Sequence, residues 1–225
     1  MRIWSDSFTD GGDIPAACAF AVADPDTHVK LSSNRNPHIG WDDVPAGTQS
    51  LVLVCHDPDV PSDGSAVNQE GRSVPATLAR VDFFHWTLVD IPIYLKSLAE
   101  GMFSNMVTPH GKPGPVVAFT IKNGTEHQLR HGMNGFTGWF ASDPAMAGEF
   151  YGYDGPYPPW NDERVHHYVF TLYALDIPYL PLPDRFTGAD VCMAIRGHIL
   201  DEARIFGIYT LNPALDPAIA ADLQP

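Results

Sequence analysis

Basic side chains are scarce in this chain: thirteen Lys and Arg stand against twenty-seven Asp and Glu, a formal charge of -14 over 225 residues. That surplus repels phosphate backbones and anionic bilayers, so neither nucleic acid nor stable membrane association is expected, and an anion site must work through local geometry. Cysteine is scarce too. Cys18, Cys55 and Cys192 are odd in number and widely spaced, with no CxxC pair, and read as buried, reduced thiols. No apolar run reaches the roughly eighteen residues of a membrane helix, and no amphipathic basic helix is evident that would hold a bilayer surface. The opening MRIWSDSFTD lacks the basic, apolar, small-residue order of a secretory leader, so a cytoplasmic location is expected. There is no GxSxG elbow, no GxxxxGK-S/T loop, no GxGxxG after a strand and no HExxH, and no cysteine has an obvious catalytic partner. No cofactor and no metal is expected. Internal repeats and low-complexity blocks are absent as well.

What the chain has is punctuation. Its 21 prolines and 19 glycines are spread throughout and separate short runs rich in Val, Ile, Phe, Tyr and Thr. This pattern predicts strands at Ser50–Cys55, Val81–Asp90, Val116–Lys122, His167–Leu175 and Arg204–Tyr209. Several are apolar on both faces, which implies a central sheet covered on each side. Thr187-Gly-Ala-Asp190 resembles a capping box and precedes Val191, Ile195 and Ile199, so a helix near the C-terminus is expected to lay that stripe on the sheet. A shorter helix is expected over Leu95–Gly101, with Gly101 as its stop. Pro61–Arg80 reads as a long polar loop, and the tail after Leu211 has no strong period. The expectation is one mainly β (β-rich α+β) domain over residues 1–225.

Three constellations interrupt apolar strands with titratable residues. In Asp57-Pro58-Asp59-Val60-Pro61 the prolines are expected to end ladder pairing and to hold both carboxylates on a stiff rim. His85, within FFHWTL, should share a strand face with Phe83, Thr87 and Val89, and if buried it needs a partner. After the rigid YDGPYPPW loop, alternation puts His166 and Tyr168 on one face and His167 on the other. Gathered together, Asp57, Asp59, His85, His166 and Tyr168 would offer imidazole and phenol donors for a small oxyanion, with the aspartates fixing tautomers. Two His and two Asp are also plausible metal ligands, but their spacing supports no metal site. His127 and His131, four apart, read as a surface pair.

The order DPDVP (57–61), FFHW (83–86), GYDGPYPP (152–159), HHYVFTLYALD (166–176) and GHILDEARIFGIY (197–209) resembles the phosphatidylethanolamine-binding protein family, particularly its bacterial Raf-kinase-inhibitor-like branch. SDSFTDGGDIP (5–15) and NPHIGWDDVPAGTQSL (36–51) agree, so the likeness runs through residues 3–209. It implies a central sheet with a second smaller sheet and a few packed helices. It also implies a small pocket for phosphate-like or carboxylate anions and for head groups such as phosphoethanolamine. Carried over residue by residue, the lining would be Asp57, Asp59, His85, Gly155, Pro156, Pro158, Pro159, His166 and Tyr168. A non-enzymatic binding protein is the leading reading. A regulator that inhibits a kinase or hydrolase through protein contact is the first alternative, and an acid/base hydrolase using Asp57 with His85 or His166 is the second. The resemblance further implies a homodimer. Two departures stand out: the segment after DPDVP is long, and AFAVADPD (19–26) lacks the Tyr-x-Cys-Asp pattern expected there.

Overall fold

The computed structural model describes residues 1–120 and 126–222. In chain order its strands are β1 (Arg2–Trp4), β2 (Ala21–Asp24), β3 (His28–Leu31), β4 (Ile39–Asp42), β5 (Ser50–Pro61), β6 (Arg80–Ile91), β7 (Ser97–Leu98), β8 (Val116–Thr120), β9 (Glu126–His131), β10 (His166–Leu175) and β11 (Ile199–Tyr209). Three short helices are α1 (Phe136–Trp139), α2 (Gly188–Ala194) and α3 (Pro217–Asp222). The fold is mainly β. Its centre is a six-stranded sheet in the order β11-β10-β5-β6-β9-β8, beside a three-stranded sheet β1-β4-β7 and the hairpin β2-β3, and the paired strands run antiparallel. The last two residues of the expected strand Val116–Lys122 lie outside the described residues.

Both faces of the central sheet are covered, because β5 carries apolar side chains in both directions. Leu51, Leu53 and Cys55 join Trp86, Leu88, Phe170 and Leu172 in a core shared with Ile39, Trp41 and Leu98 of the small sheet. Val52 and Val54 pack on the opposite face with Val89, Phe186 and α2. The start of α2 follows from local chemistry. Thr187 accepts from the Asp190 N–H while the Asp190 carboxylate accepts from the Thr187 N–H, a complete capping box. Val191 and Ile195 are buried on the sheet, but the stripe ends there: Ile199 is exposed and already belongs to β11.

Three expectations need correcting. Leu95–Gly101 is not a helix, because Ser97 and Leu98 pair with Gly40 and Ile39 and bury Leu98; strand pairing overrides a fair helical composition. Gly101 sits at φ +73° in a turn that no helix precedes. The prolines of DPDVP do not end β5. Pairing resumes at Val60↔Val81 and Pro61↔Arg80 after a register shift that lets Pro58 pass without its missing donor. His131 is no surface residue: in β9 it shares a face with Leu129, is buried, and accepts a hydrogen bond at Nδ1 from the Trp86 indole (3.1 Å). The Pro61–Arg80 segment is a loop as expected, but a pinned one. Asn161 donates to the carbonyls of Ala66, Gln69 and Arg72 and accepts from the Asn68 N–H.

Candidate functional site

A cavity of about 180 Å³ opens where β5, β6 and β10 meet α1 and the two proline-bearing loops. Its polar end comes from Asp57, His85, His166 and Tyr168, and its walls from Val60, Val67, Phe83, Phe136, Trp139 and Tyr157 with Pro158 and Pro159. Strand alternation explains the pair from β10: His166 and Tyr168 point inward and are buried, while the His167 side chain is 46% exposed.

His166 is held at both ring nitrogens. Nδ1 lies 2.7 Å from Asp57 Oδ2 and Nε2 lies 3.1 Å from Asp162 Oδ2. Asp162 in turn takes a fork from Arg80, with Nη1 at 2.5 Å and Nη2 at 2.9 Å. Burial pushes the His166 pKa down, but the hydrogen bonds and charges of Asp162 and Asp57 outweigh it and raise the imidazole to about 9. At neutral pH the row Asp57, His166, Asp162, Arg80 therefore alternates minus, plus, minus, plus, with no net charge. Each charge has a partner, which a buried ionic group requires.

His85 behaves in the opposite way. Its Nδ1 donates to the Asp154 carbonyl at 2.7 Å, and the Asp154 N–H donates back to the His85 carbonyl. Desolvation dominates and lowers its pKa to about 4, so the ring is neutral and Nε2 is a bare acceptor. Asp154 is itself anchored by Asn34, Asn134 and Lys112 at 2.6–2.8 Å. Tyr168 crosses His85 edge to face at 5.0 Å, and its phenol pKa is raised well above the usual value, by burial first and Asp57 second. The Tyr168 hydroxyl is protonated, buried and without a hydrogen-bond partner among the described residues. A native fold rarely leaves such a group at a cavity wall without use for it.

The sequence profile of the phosphatidylethanolamine-binding protein family matches residues 4–210. The chain belongs to that family. Among relatives, the UPF0098 protein YbhB of Escherichia coli (strain K12) is 29% identical over 210 residues, covering 93% of this chain and 100% of that one. A UPF0098 protein of Aquifex aeolicus is also 29% identical, covering 93% of this chain and 88% of its own. In fold, the chain resembles the crystal structure of Escherichia coli YbcL, described as a new member of the mammalian PEBP family: TM-score 0.62 at 22% identity, covering 93% of this chain and 97% of that one.

Of the nine residues that the family resemblance pointed to, Asp57, His85, Pro158, Pro159, His166 and Tyr168 line the cavity, and Asp59, Gly155 and Pro156 do not. The register shift between Asp57 and Val60 turns Asp59 away, where His167 N–H, His167 Nδ1 and Arg164 bind its carboxylate. The two aspartates thus divide the two histidines between them. Gly155 supports from behind: its N–H donates to Asn34, and a Cβ there would meet the Cys18 carbonyl at 2.0 Å. The Pro156 carbonyl accepts from Phe20 and Ala21. His85 keeps its expected neighbour Phe83 but not Thr87 or Val89. Phe84 opposes His56 while Trp86 opposes the adjacent Cys55, so a bulge at His85 shifts the alternation, and Trp86 and Leu88 fall on the His85 side. Sequence reasoning missed Asp162, Arg80, Phe136 and Trp139. Asp162 and Arg80 border loops, and α1 is too short to show an apolar stripe; only the Asp in the NDER turn, four before His166, offered a cue. Among the described residues no group of three or more His, Cys, Asp or Glu is arranged to hold a metal ion. No helix among them is long and apolar enough to cross a membrane.

Proposed function

We propose that this chain is a non-enzymatic binding protein for a small ligand whose polar head brings its own hydrogen-bond donor. Phosphate-like or carboxylate groups would be taken up in protonated form, and phosphoethanolamine would be taken up through its phosphate or its ammonium. The observation that carries this reading is the unpartnered Tyr168 hydroxyl beside the bare His85 Nε2. Sequence reasoning counted two imidazole donors for an anion, yet both His166 nitrogens are engaged by carboxylates and the His85 Nδ1–H by a carbonyl. At the polar end formed by Asp57, His85, His166 and Tyr168, Tyr168 then supplies one donor against acceptors on Asp57 and His85, so a fully ionised group seated there is poorly matched and a protonated one fits.

A binding role also accords with the lining, which among the described residues contains no Ser, Thr, Cys or Lys to act as nucleophile. His166 is engaged at both ring nitrogens by carboxylates, which leaves it no free nitrogen for proton transfer. The loop after DPDVP contributes Gly64, Val67 and Asn68 to the cavity, which favours a role in shaping the pocket.

Calorimetry with phosphoethanolamine, inorganic phosphate and acetate at pH 5.5 and pH 8 tests the proposal on wild type, His85→Leu and Tyr168→Phe. The expected result is binding that weakens as the ligand loses its last acidic proton, near pH 6 for a phosphomonoester, and that falls about tenfold in either variant. Absence of binding by all three ligands, or undiminished binding in both variants, would refute the assignment.

A further inference from the structure

His166 lines the cavity yet has no ring nitrogen to offer an occupant, since Nδ1 and Nε2 lie 2.7 Å and 3.1 Å from the carboxylates of Asp57 and Asp162. What it can bring is charge, and that charge depends on residues outside the lining. Asp162 is the first of them. Its Oδ1 accepts from Arg80 Nη2 at 2.9 Å and from the Arg164 N–H at 3.0 Å, and its Oδ2 accepts from Arg80 Nη1 at 2.5 Å and faces His166 Nε2. The Arg80 and Arg164 groups can only donate, so those three bonds hold Asp162 as a carboxylate. A neutral imidazole has one N–H and one lone pair, and with a carboxylate at each nitrogen of His166 the lone pair would face an anion. Only a ring with two N–H bonds fits this geometry.

Arg80 is the second. All five of its N–H bonds are used, two on Asp162 and one each on the carbonyls of Leu78, Asp59 and Pro75. Its side chain is 6% exposed and that of Asp162 1%, so solvent ions screen the pair little. Neither residue lines the cavity. Without Arg80, the row of Asp57, His166 and Asp162 would leave a net negative charge beside the cavity, in a chain that already carries -14. With Arg80 the row sums to zero. The other ionisable groups around the ring leave that sum unchanged. His85, Tyr168 and Tyr209 are uncharged at neutral pH, each with burial as the main cause, and Asp59 is paired with Arg164 and His167 outside the cavity.

We propose that Arg80 and Asp162 are positioning residues for an anionic head: from outside the cavity they hold His166 as a doubly protonated ring and so cancel the negative charge of Asp57 at the polar end. The proposal rests on reading the cavity as a ligand site and adds the residues that set its charge.

Histidine-ring ¹H–¹⁵N spectra and calorimetry of the full chain test it together. Wild-type His166 should stay doubly protonated at pH 8, whereas in Asp162→Asn the loss of its second proton should move down by about one pH unit or more. The binding probe is inorganic phosphate at pH 5.5, a monoanion that still carries protons to donate. Arg80→Gln should weaken it about fivefold or more, because the row is left net negative, and Arg80→Lys should recover most of that loss. The double variant Arg80→Gln with Asp162→Asn should recover it too, since its row again sums to zero. A merely structural role predicts the reverse, with two damaged contacts binding no better than one. The Asp162→Asn titration needs no ligand and decides the matter even if Arg80→Gln does not fold. An unchanged His166 titration in Asp162→Asn, or a folded double variant no tighter than Arg80→Gln, overturns the proposal while the ligand reading stands. Absence of phosphate binding by wild type overturns that reading and this proposal with it.

Discussion

Replacing Tyr168 by Phe removes one oxygen from the wall of the cavity and leaves the ring in place. In the free protein that oxygen is buried with no hydrogen-bond partner among the described residues, and Tyr168 is 1% exposed. An unsatisfied buried hydroxyl costs about 1–3 kcal/mol, so its removal should stabilise the free protein by about that amount. For a chain of this size each kcal/mol moves the midpoint by about 2–4 °C, which gives a rise of roughly 2–12 °C in Tm. The same change should weaken ligand binding about tenfold, since the lost group is the phenolic donor beside Asp57 and His85 at the polar end of the cavity. Thermal and urea unfolding of wild type and Tyr168→Phe, with calorimetry on both, measure the two effects. A site kept for binding shows them with opposite signs. A variant that is less stable by 1 kcal/mol or more, or one that binds its ligand undiminished, would refute the reasoning, because Tyr168 would then be an ordinary core residue.

Other consequences follow from the charges and the caps. His166, raised to about 9 from 6.5, contributes stability that is complete below pH 6.5 and is lost as pH rises through about 9, on the order of 3 kcal/mol. His85 and His131, lowered mainly by burial to about 4 and about 3, contribute stability that is present above pH 6.5 and is lost as pH falls through those values. Urea unfolding from pH 4 to pH 10 should therefore show a maximum near pH 6.5, and a flat profile between pH 7 and pH 9.5 contradicts the His166 assignment. Asn161→Ala removes four contacts to the loop after β5 and should cost about 1–3 kcal/mol. Amide exchange in residues 64–72 should then accelerate selectively, and unchanged protection there counts against the pinned loop. Thr187→Ala removes the cap of α2 and should cost about 0.5–2 kcal/mol by chemical denaturation, whereas no loss would mean that packing alone sets the helix start.

Much of the fold is legible in the sequence because its signals are local. The SLVLVC run, apolar in both directions, announces a strand buried on both faces, and Thr187 with Asp190 announces a helix start. What stays hidden depends on pairing between distant segments. Leu95–Gly101 has fair helical composition, yet Ile39 and Gly40 recruit its centre into a strand. Alternation places His166 and Tyr168 inside, since β10 is regular from His166 to Ala174. Alternation fails where the ladder slips: a bulge moves Thr87 and Val89 off the His85 face, and another sends Asp59 to His167 instead of the cavity. No local rule predicts such a slip. Nor does any local rule bring Arg80 from one loop end to Asp162 in another, so the alternating charge row was invisible until the chain was folded.

The most direct test is a long-range ¹H–¹⁵N spectrum of the histidine rings, taken on the free protein at pH 8 and at pH 5.5 with and without phosphoethanolamine. His166 should be doubly protonated in every sample. His85 should be protonated at Nδ1 alone in the free protein, and its Nε2 should shift at pH 5.5 when the ligand donates to it. A neutral His166 at pH 8, or a His85 Nε2 that does not move at saturating ligand, would contradict this reading.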